Sequence, residues 1–395
     1  MSSSIPRPGA KPNSAGIPLA WLQLSHQKGR LVAAVIGIAF AVVLMLTQLG
    51  FKDALLSSVV VLHQSLIGDL VLISRNYQNQ GFPNGFSETR LYETLGSPAV
   101  DAVYSLYIAG TDFKNPVNRK NISMYAIGFK PTTALLNRPG IAENLPKLHT
   151  IGMVLFDSLR RPEFGPVSEL FEQNGIVTTE LNAKRIDIVG LFQLGTSFAA
   201  DGHVVMSDET FLRVTGQKAG IINIGLIKLK PGANLLRTKA ELAGILPPDV
   251  EILTKGEFVA REVNYWDNST PIGFVFGLGV LVGIFIGCII VYQILYTNVT
   301  DHLPQYATLK AMGYRDGFLF KIVMKEALIL SVLGFFPGVL VSFGVYALAR
   351  RATLLPMYMT VSNTIGVYVM AAVMCLMSAV FAARRVKAAD PADIF

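Results

Sequence analysis

The chain has 395 residues, of which 51% are hydrophobic and 15% charged, with 34 Lys and Arg against 27 Asp and Glu for a net charge of +7. Soluble domains carry about 25% charged residues, so this composition, with a mean hydropathy of +0.46, argues against an ordinary water-soluble enzyme and places part of the chain in lipid. The surplus cations flank apolar runs, which points to a membrane rather than nucleic acid, and two cysteines inside apolar runs, Cys288 and Cys375, build neither a disulfide framework nor a metal site.

In chain order, residues 1–16 are rich in Ser, Pro and Gly and read as a disordered tail. The next stretch, IPLAWLQLSHQKGR (17–30), sets Trp21 and alternating leucines beside basic ends. It suits a helix lying along the cytoplasmic interface, or a plain extension of the span that follows. That first span, 31–51, is longer than a signal-peptide core of about 7–15 residues and no A-x-A-like site follows it, so it is expected to stay. Further spans are expected at 271–296, within 318–349 and at 362–383. Each has about 20 residues or more, enough to cover roughly 30 Å of hydrocarbon.

Between the first and second spans lies a region, 52–270, large enough for one or two compact domains. Runs rich in Val and Ile at 68–77, 124–130, 185–194, 203–207, 221–230 and 250–254 predict strands. SDETFLRVTG and NLLRTKAELAGIL predict helices, the second after the Pro231-Gly232 turn. The expectation is an α+β domain with an insertion at about 114–200, where Pro116, Pro131, Pro139, Pro146, Pro162 and Pro166 break the pattern.

Lys and Arg near the span ends set orientation. Arg7, Lys11, Lys28 and Arg30 precede the first span, Lys310 and Arg315 lie in the 297–317 loop, and Arg384, Arg385 and Lys387 follow the last span. The short 350–361 loop has only Arg350 and Arg351. Both termini and the 297–317 loop are therefore expected in the cytoplasm, with 52–270 and 350–361 outside.

The 297–317 loop is neither greasy nor turn-like. Leu303, Tyr306, Leu309 and Met312 recur every three residues and Gly313 follows, which predicts a helix of about two turns with one apolar stripe, far too short to span. Such a stripe lies on the membrane surface, packs on the chain's own helix ends, or docks in a groove on a soluble partner.

Catalytic motifs are missing. A phosphate-binding loop needs G-x-x-x-x-G-K-[ST], and Gly-Lys occurs nowhere, so the chain is not expected to hydrolyse ATP. There is no G-x-S-x-G and no H-E-x-x-H. The histidines, His26 and His302 on one side and His63, His149 and His203 on the other, form no single cluster, and no metal site is expected. Near the third span, Lys321, Lys325 and Glu326 read as interfacial charges, the lysines snorkelling along one face and Glu326 meeting a neighbouring cation or the loop helix. No acid falls at mid-membrane, which argues against an ion-driven transporter. Gly273, Gly277, Gly279, Gly283 and Gly287, with Gly334 and Gly338 around Pro337, form small-residue ridges of the kind that let spans approach closely, within the chain or in a homodimer.

QYATLKAMGY (305–314) resembles the E-I-A-x-L-R-x-L-G-A signature of FtsX-like permeases, which include MacB and the lipoprotein-releasing ABC systems. KEALILSVLGFFPGVLVSFG (325–344) is similar to their E-A-L-x-L-x-x-x-G-x-x-x-G helix, with Glu326, Gly334 and Gly338 on its positions, and ARRVKAADPADIF (383–395) to their tail. QLGFKDALLSSVVVLHQSLIGDLVLISRNYQ (48–78) resembles the DevC branch, permeases for glycolipid export. The resemblance implies a MacB-like membrane protein with four transmembrane helices and a large periplasmic α+β domain between the first two. It further implies an inner-membrane efflux permease that works as a homodimer by mechanotransmission. Its partners would be a DevA-like ABC ATPase carrying ATP and Mg, a DevB-like periplasmic adaptor, a TolC-like outer-membrane channel and membrane lipids, with no cofactor on this chain. Gln305, Tyr306, Leu309, Lys310, Met312 and Gly313 would couple to the ATPase. Gln305 replaces the family's usual acid and Tyr314 its usual small residue, so docking here would be polar and apolar rather than ionic. The alternative within the family is a non-transporting regulator of periplasmic hydrolases.

Overall fold

The computed structural model describes residues 28–314, 316–353 and 355–387, without the side chains of 309–311, 316, 319 and 385–387. The expected tail 1–16, residues 17–27 of the interfacial stretch and the tail beyond 387 lie outside it. Twelve helices and eleven strands are described. The chain divides into two compact units, one of residues up to 50 with 276–347 and 359 onward, the other of 51–275 with 348–358.

The first unit is built on helices long and apolar enough to cross a membrane. These are α1 (Lys28–Val59), the later helices Pro271–Asp301 and Val361–Lys387, and most of Asp316–Thr353. In lipid every backbone polar group must be satisfied within its own segment, which is why these apolar runs are helical from end to end. α1 lies at the centre: Ile38, Ala41, Val42 and Met45 are fully buried among the other three spans.

The second unit is α+β. Its strands are β1 (Leu70–Ser74), β2 (Phe86–Ser87), β3 (Val100–Lys114), β4 (Asn121–Phe129), β5 (Met153–Asp157), β6 (Val177–Leu181), β7 (Lys184–Phe192), β8 (His203–Ser207), β9 (Ile221–Ile222), β10 (Ile224–Leu229) and β11 (Val250–Thr254). Nine form one sheet in the order β11-β1-β10-β3-β4-β8-β5-β7-β6, parallel at β4–β8 and β5–β7 and antiparallel elsewhere. In β1, Leu70 and Leu72 enter one buried cluster and Val71 and Ile73 another, so the sheet is covered on both faces there.

Two sequence expectations change. The region expected as an insertion, 114–200, supplies β4 to β7, which prolong the same sheet past β3 rather than forming a body of their own. The strand expected over 221–230 is two strands. Asn223 turns the chain between them, its Oδ1 accepting from Ile108 N–H at 2.9 Å, so that Ile221 and Ile222 pair with β2 and the rest with β1 and β3.

The remaining helices are α2 (Val61–Ser65), α3 (Glu88–Glu93), α4 (Ile141–Asn144), α5 (Val167–Asn174), α6 (Asp208–Thr215), α7 (Leu235–Ile245), α8 (Lys255–Asn268), α9 (Pro271–Asp301), α10 (Leu303–Ala311), α11 (Asp316–Thr353) and α12 (Val361–Lys387). Side-chain caps start several of them. Ser207 caps α6, Asn234 caps α7, and Thr254 with Glu257 forms a reciprocal capping box on α8.

The glycine ridges resolve into intrachain seats. A Cβ on Gly334 would lie 2.5 Å from Ile38, on Gly338 2.8 Å from Val42, on Gly283 3.2 Å from Met45, and on Gly287 2.9 Å from Ala41 and closer still to Met374. Gly279 faces Gln48 in the same way, and Gly37 on α1 reciprocates by receiving Ile290. Gly277 meets nothing within 4 Å, and Gly273 abuts the Asp267 carbonyl where α8 passes into α9. The ridges thus hold α9 and α11 on α1. Gly338→Leu should destabilise the chain in detergent by at least about 1–3 kcal/mol, the usual cost of overpacking, while Gly277→Ala leaves thermal unfolding unchanged. Equal melting of the two variants would refute this assignment of seats.

Candidate functional site

α10 is the stub helix of the 297–317 loop, and Gly313 follows it at φ +89°, a left-handed position suited to glycine. Tyr306 is 1% exposed and Ala307 fully buried. Both lie in one cluster with Leu295 and Val299 of α9 and Ile322, Val323 and Ala327 of α11, with partly buried Leu303 packed against it. The stub therefore sits on the chain's own helix ends. The expected stripe is split: Met312 is 63% exposed. At about 100° per residue, positions nine apart such as Leu303 and Met312 point in opposite directions. Tyr306 is an anchor turned inward, whereas Pro304, Gln305 and Thr308 are open. Leu309 and Lys310 belong to the helix, but their side chains lie outside the description. Beyond Gly313, Tyr314 and Phe318 stack with ring centroids 4.9 Å apart and stay half exposed. With Met312 they leave an apolar edge on the loop.

Around the seat, Arg30 pairs with Asp301, and the buried His302 ring sits with Nδ1 2.9 Å from the Asn298 carbonyl. Lys321 and Lys325 are exposed, as snorkelling side chains are. Glu326 differs from its expected role. It is fully buried on the α11 face that carries Ile322, Ala327 and Leu330, and neither carboxyl oxygen has a partner. The cation expected beside it is absent among the described residues.

A second polar constellation, which the sequence reading missed, lies in the 51–275 unit. Glu262 of α8 is fully buried and accepts from Tyr77 Oη at 3.1 Å, Gln80 N–H at 3.2 Å and Trp266 Nε1 at 3.0 Å, with His63 Nε2 of α2 3.3 Å away. Burial works against its charge, but the hydrogen bond and attraction of His63, then the Trp266 and Gln80 donors, hold its pKa below the usual glutamate value. Tyr77 moves the other way: burial and the adjoining carboxylate push its phenol well up, so it stays a donor. Two further clasps join the same helices. Lys255 Nζ of α8 donates to the Leu66 carbonyl at 2.6 Å, just past α2, and Lys52 of α1 pairs with Asp267 of α8 at 2.8 Å. The loop after β7 joins in, with Phe198 N–H donating to Ser58 Oγ at 3.1 Å and its ring edge-on to Trp266. The one local signal was Glu262 and Trp266 four apart on a helix. The other partners lie more than 180 residues earlier in the chain.

Residues 276–391 match the family FtsX-like permease C-terminal. That segment holds three of the four helices long and apolar enough to cross a membrane, with the stub helix between them. No curated protein sequence matches the chain. Among solved structures it is similar to the periplasmic region of MacB from Actinobacillus actinomycetemcomitans, at 11% identity over 49% of this chain and 91% of that one, with a TM-score of 0.36. It is also similar to the extracellular domain of the noncanonic ABC-type transporter YknZ from Gram-positive bacteria, at 8% identity over 47% and 98%, with a TM-score of 0.34.

The clasp has a pH signature. Because Glu262 binds its proton more weakly folded than unfolded, its stabilisation is complete above the ordinary glutamate pKa of about 4.3. It is lost as pH falls through the lower folded value. Glu262→Gln in the full chain should cost about 2–4 kcal/mol at neutral pH and flatten the acid limb of the melting curve. An acid limb unchanged in the variant would refute the assignment.

Proposed function

We propose that the chain is the permease subunit of an ABC-type efflux assembly, carrying ATP-driven motion from a cytoplasmic ATPase to the 51–275 domain on the periplasmic side. The observation that carries this reading is the stub helix. Within an FtsX-like permease domain it is anchored inward by Tyr306 and Ala307 and offers Gln305, Met312, Tyr314 and Phe318 outward. Nucleotide, Mg and hydrolysis belong to the ATPase, and this chain binds no cofactor. ATP binding closes the ATPases, the seated stubs follow, and α1, α9 and α11 act as levers. The excess of Lys and Arg beside the 297–317 loop and the chain ends supports placing both termini and the stub in the cytoplasm.

The finer reading is a homodimer with a DevA-like ATPase, a DevB-like adaptor and a TolC-like channel, exporting a glycolipid or other amphipathic cargo. It rests on the likeness of residues 48–78 to the DevC branch. Cargo is moved on the outer side rather than drawn through a pore, in keeping with spans that hold no ion-coupling acid at their centre.

Met312→Asp tests the docking edge. An exposed side chain can change without unseating the helix, whereas a partner that buries methionine loses about 1.5–3 kcal/mol, roughly tenfold or more in affinity. The variant should insert and melt like the parent but lose co-purification with the ATPase and transport of cargo. Unaltered transport would refute the docking edge, and co-purification with a wall hydrolase instead of an adaptor would favour the regulator.

A further inference from the structure

On the surface of the membrane unit, between α9 and α12, lies a groove of about 480 Å³, within the range of ligand sites. Its walls are Ile289 and Tyr292 on α9 and Met377 and Phe381 on α12, all exposed. Its floor is closed by Ser378, whose single hydroxyl proton is shared between the Cys288 carbonyl of α9 and the Met374 carbonyl of its own helix, each at 2.9 Å. Arg384 forms the mouth, with Cζ 5.2 Å over the Phe381 ring. Tyr292 and Tyr296 lie along α9 with ring centroids 5.7 Å apart, a pattern that marks a headgroup level. From Met377 to Arg384 the helix rises about 10 Å, so the site runs from the interface into the hydrocarbon.

We propose that this groove binds an anionic phospholipid of the adjoining leaflet, with one acyl chain between α9 and α12 and the phosphate on Arg384. Two observations favour lipid over a second copy of the chain. The walls are apolar where the solvent is hydrocarbon. Among the described residues, the charge lining the groove is a guanidinium, whose fork of donors matches a phosphodiester.

The test is native mass spectrometry of the full chain in mild detergent, offered equimolar phosphatidylglycerol and phosphatidylcholine with the same acyl chains. Phosphatidylglycerol should be retained preferentially. Arg384→Gln should cut that preference about fivefold, as expected for one basic contact to an anionic headgroup, and Arg384→Lys should keep most of it. Ile289→Trp changes a side chain that is 49% exposed and should reduce retention of both lipids by filling the groove. Equal retention of the two lipids, or an unchanged preference in Arg384→Gln, would overturn the proposal. So would Ile289→Cys forming a disulfide between two copies in membranes, which would show the groove covered by protein.

Discussion

Apolar helices in lipid gain nothing from leaving their solvent, so a bundle of four must be held by close contact. Here that contact converges on α1. Gly283 and Gly287 of α9 and Gly334 and Gly338 of α11 each lie where a methyl group would strike Met45, Ala41, Ile38 or Val42, and Gly37 of α1 receives Ile290. The segment before the large domain is thus locked to the segment after it, although more than two hundred residues separate them. The two covalent tethers of the domain are held side by side by helix packing within the first unit.

In the second unit the same two stretches of chain meet again under different physics. Exposed to water, they could be held by apolar burial, yet the structure uses charge. Lys52 meets Asp267, Lys255 reaches the Leu66 carbonyl, and Glu262 gathers donors from His63, Tyr77, Gln80 and Trp266. A buried carboxylate is expensive unless its lone pairs are filled, and then it fixes its neighbours in direction as well as distance. Apolar contacts at the outer end of α1 and α8 would allow sliding. A carboxylate with donors on three sides does not.

The sequence made the spans legible because length and hydropathy suffice for them. It made strands such as β8 legible because they are compact β-branched runs. β3 was missed: VDAVYSLYIAGTDFK has small and polar residues on both faces, since its pairing with β10, β4 and β6 does more for it than burial. α8 was missed because KGEFVAREVNYWDN buries little besides Phe258 and Glu262, and a lone acid on an inward face reads as surface until its partners are known. The glycine ridges signalled close packing but not against what. In the stub, a spacing of three looked like one stripe, yet three is not 3.6, and the drift from Leu303 to Met312 carries the last position to the opposite side.

That drift separates two ways a short cytoplasmic helix can work. A helix that only sealed the bundle would need one apolar face, and a helix that only served a partner would have no reason to bury Tyr306. α10 does both. The anchor is a tyrosine and an alanine packed among residues of α9 and α11, and the open edge is a methionine with two rings beyond a glycine turn. For force to pass, the inner grip must hold at least as well as the outer one. Burying Tyr306 supplies more area than Met312 offers a partner. On α11, however, next to Ala327 of the same cluster, Glu326 is a buried carboxyl with no hydrogen bond among the described residues, which makes the packing around it weaker than leucine of similar volume would.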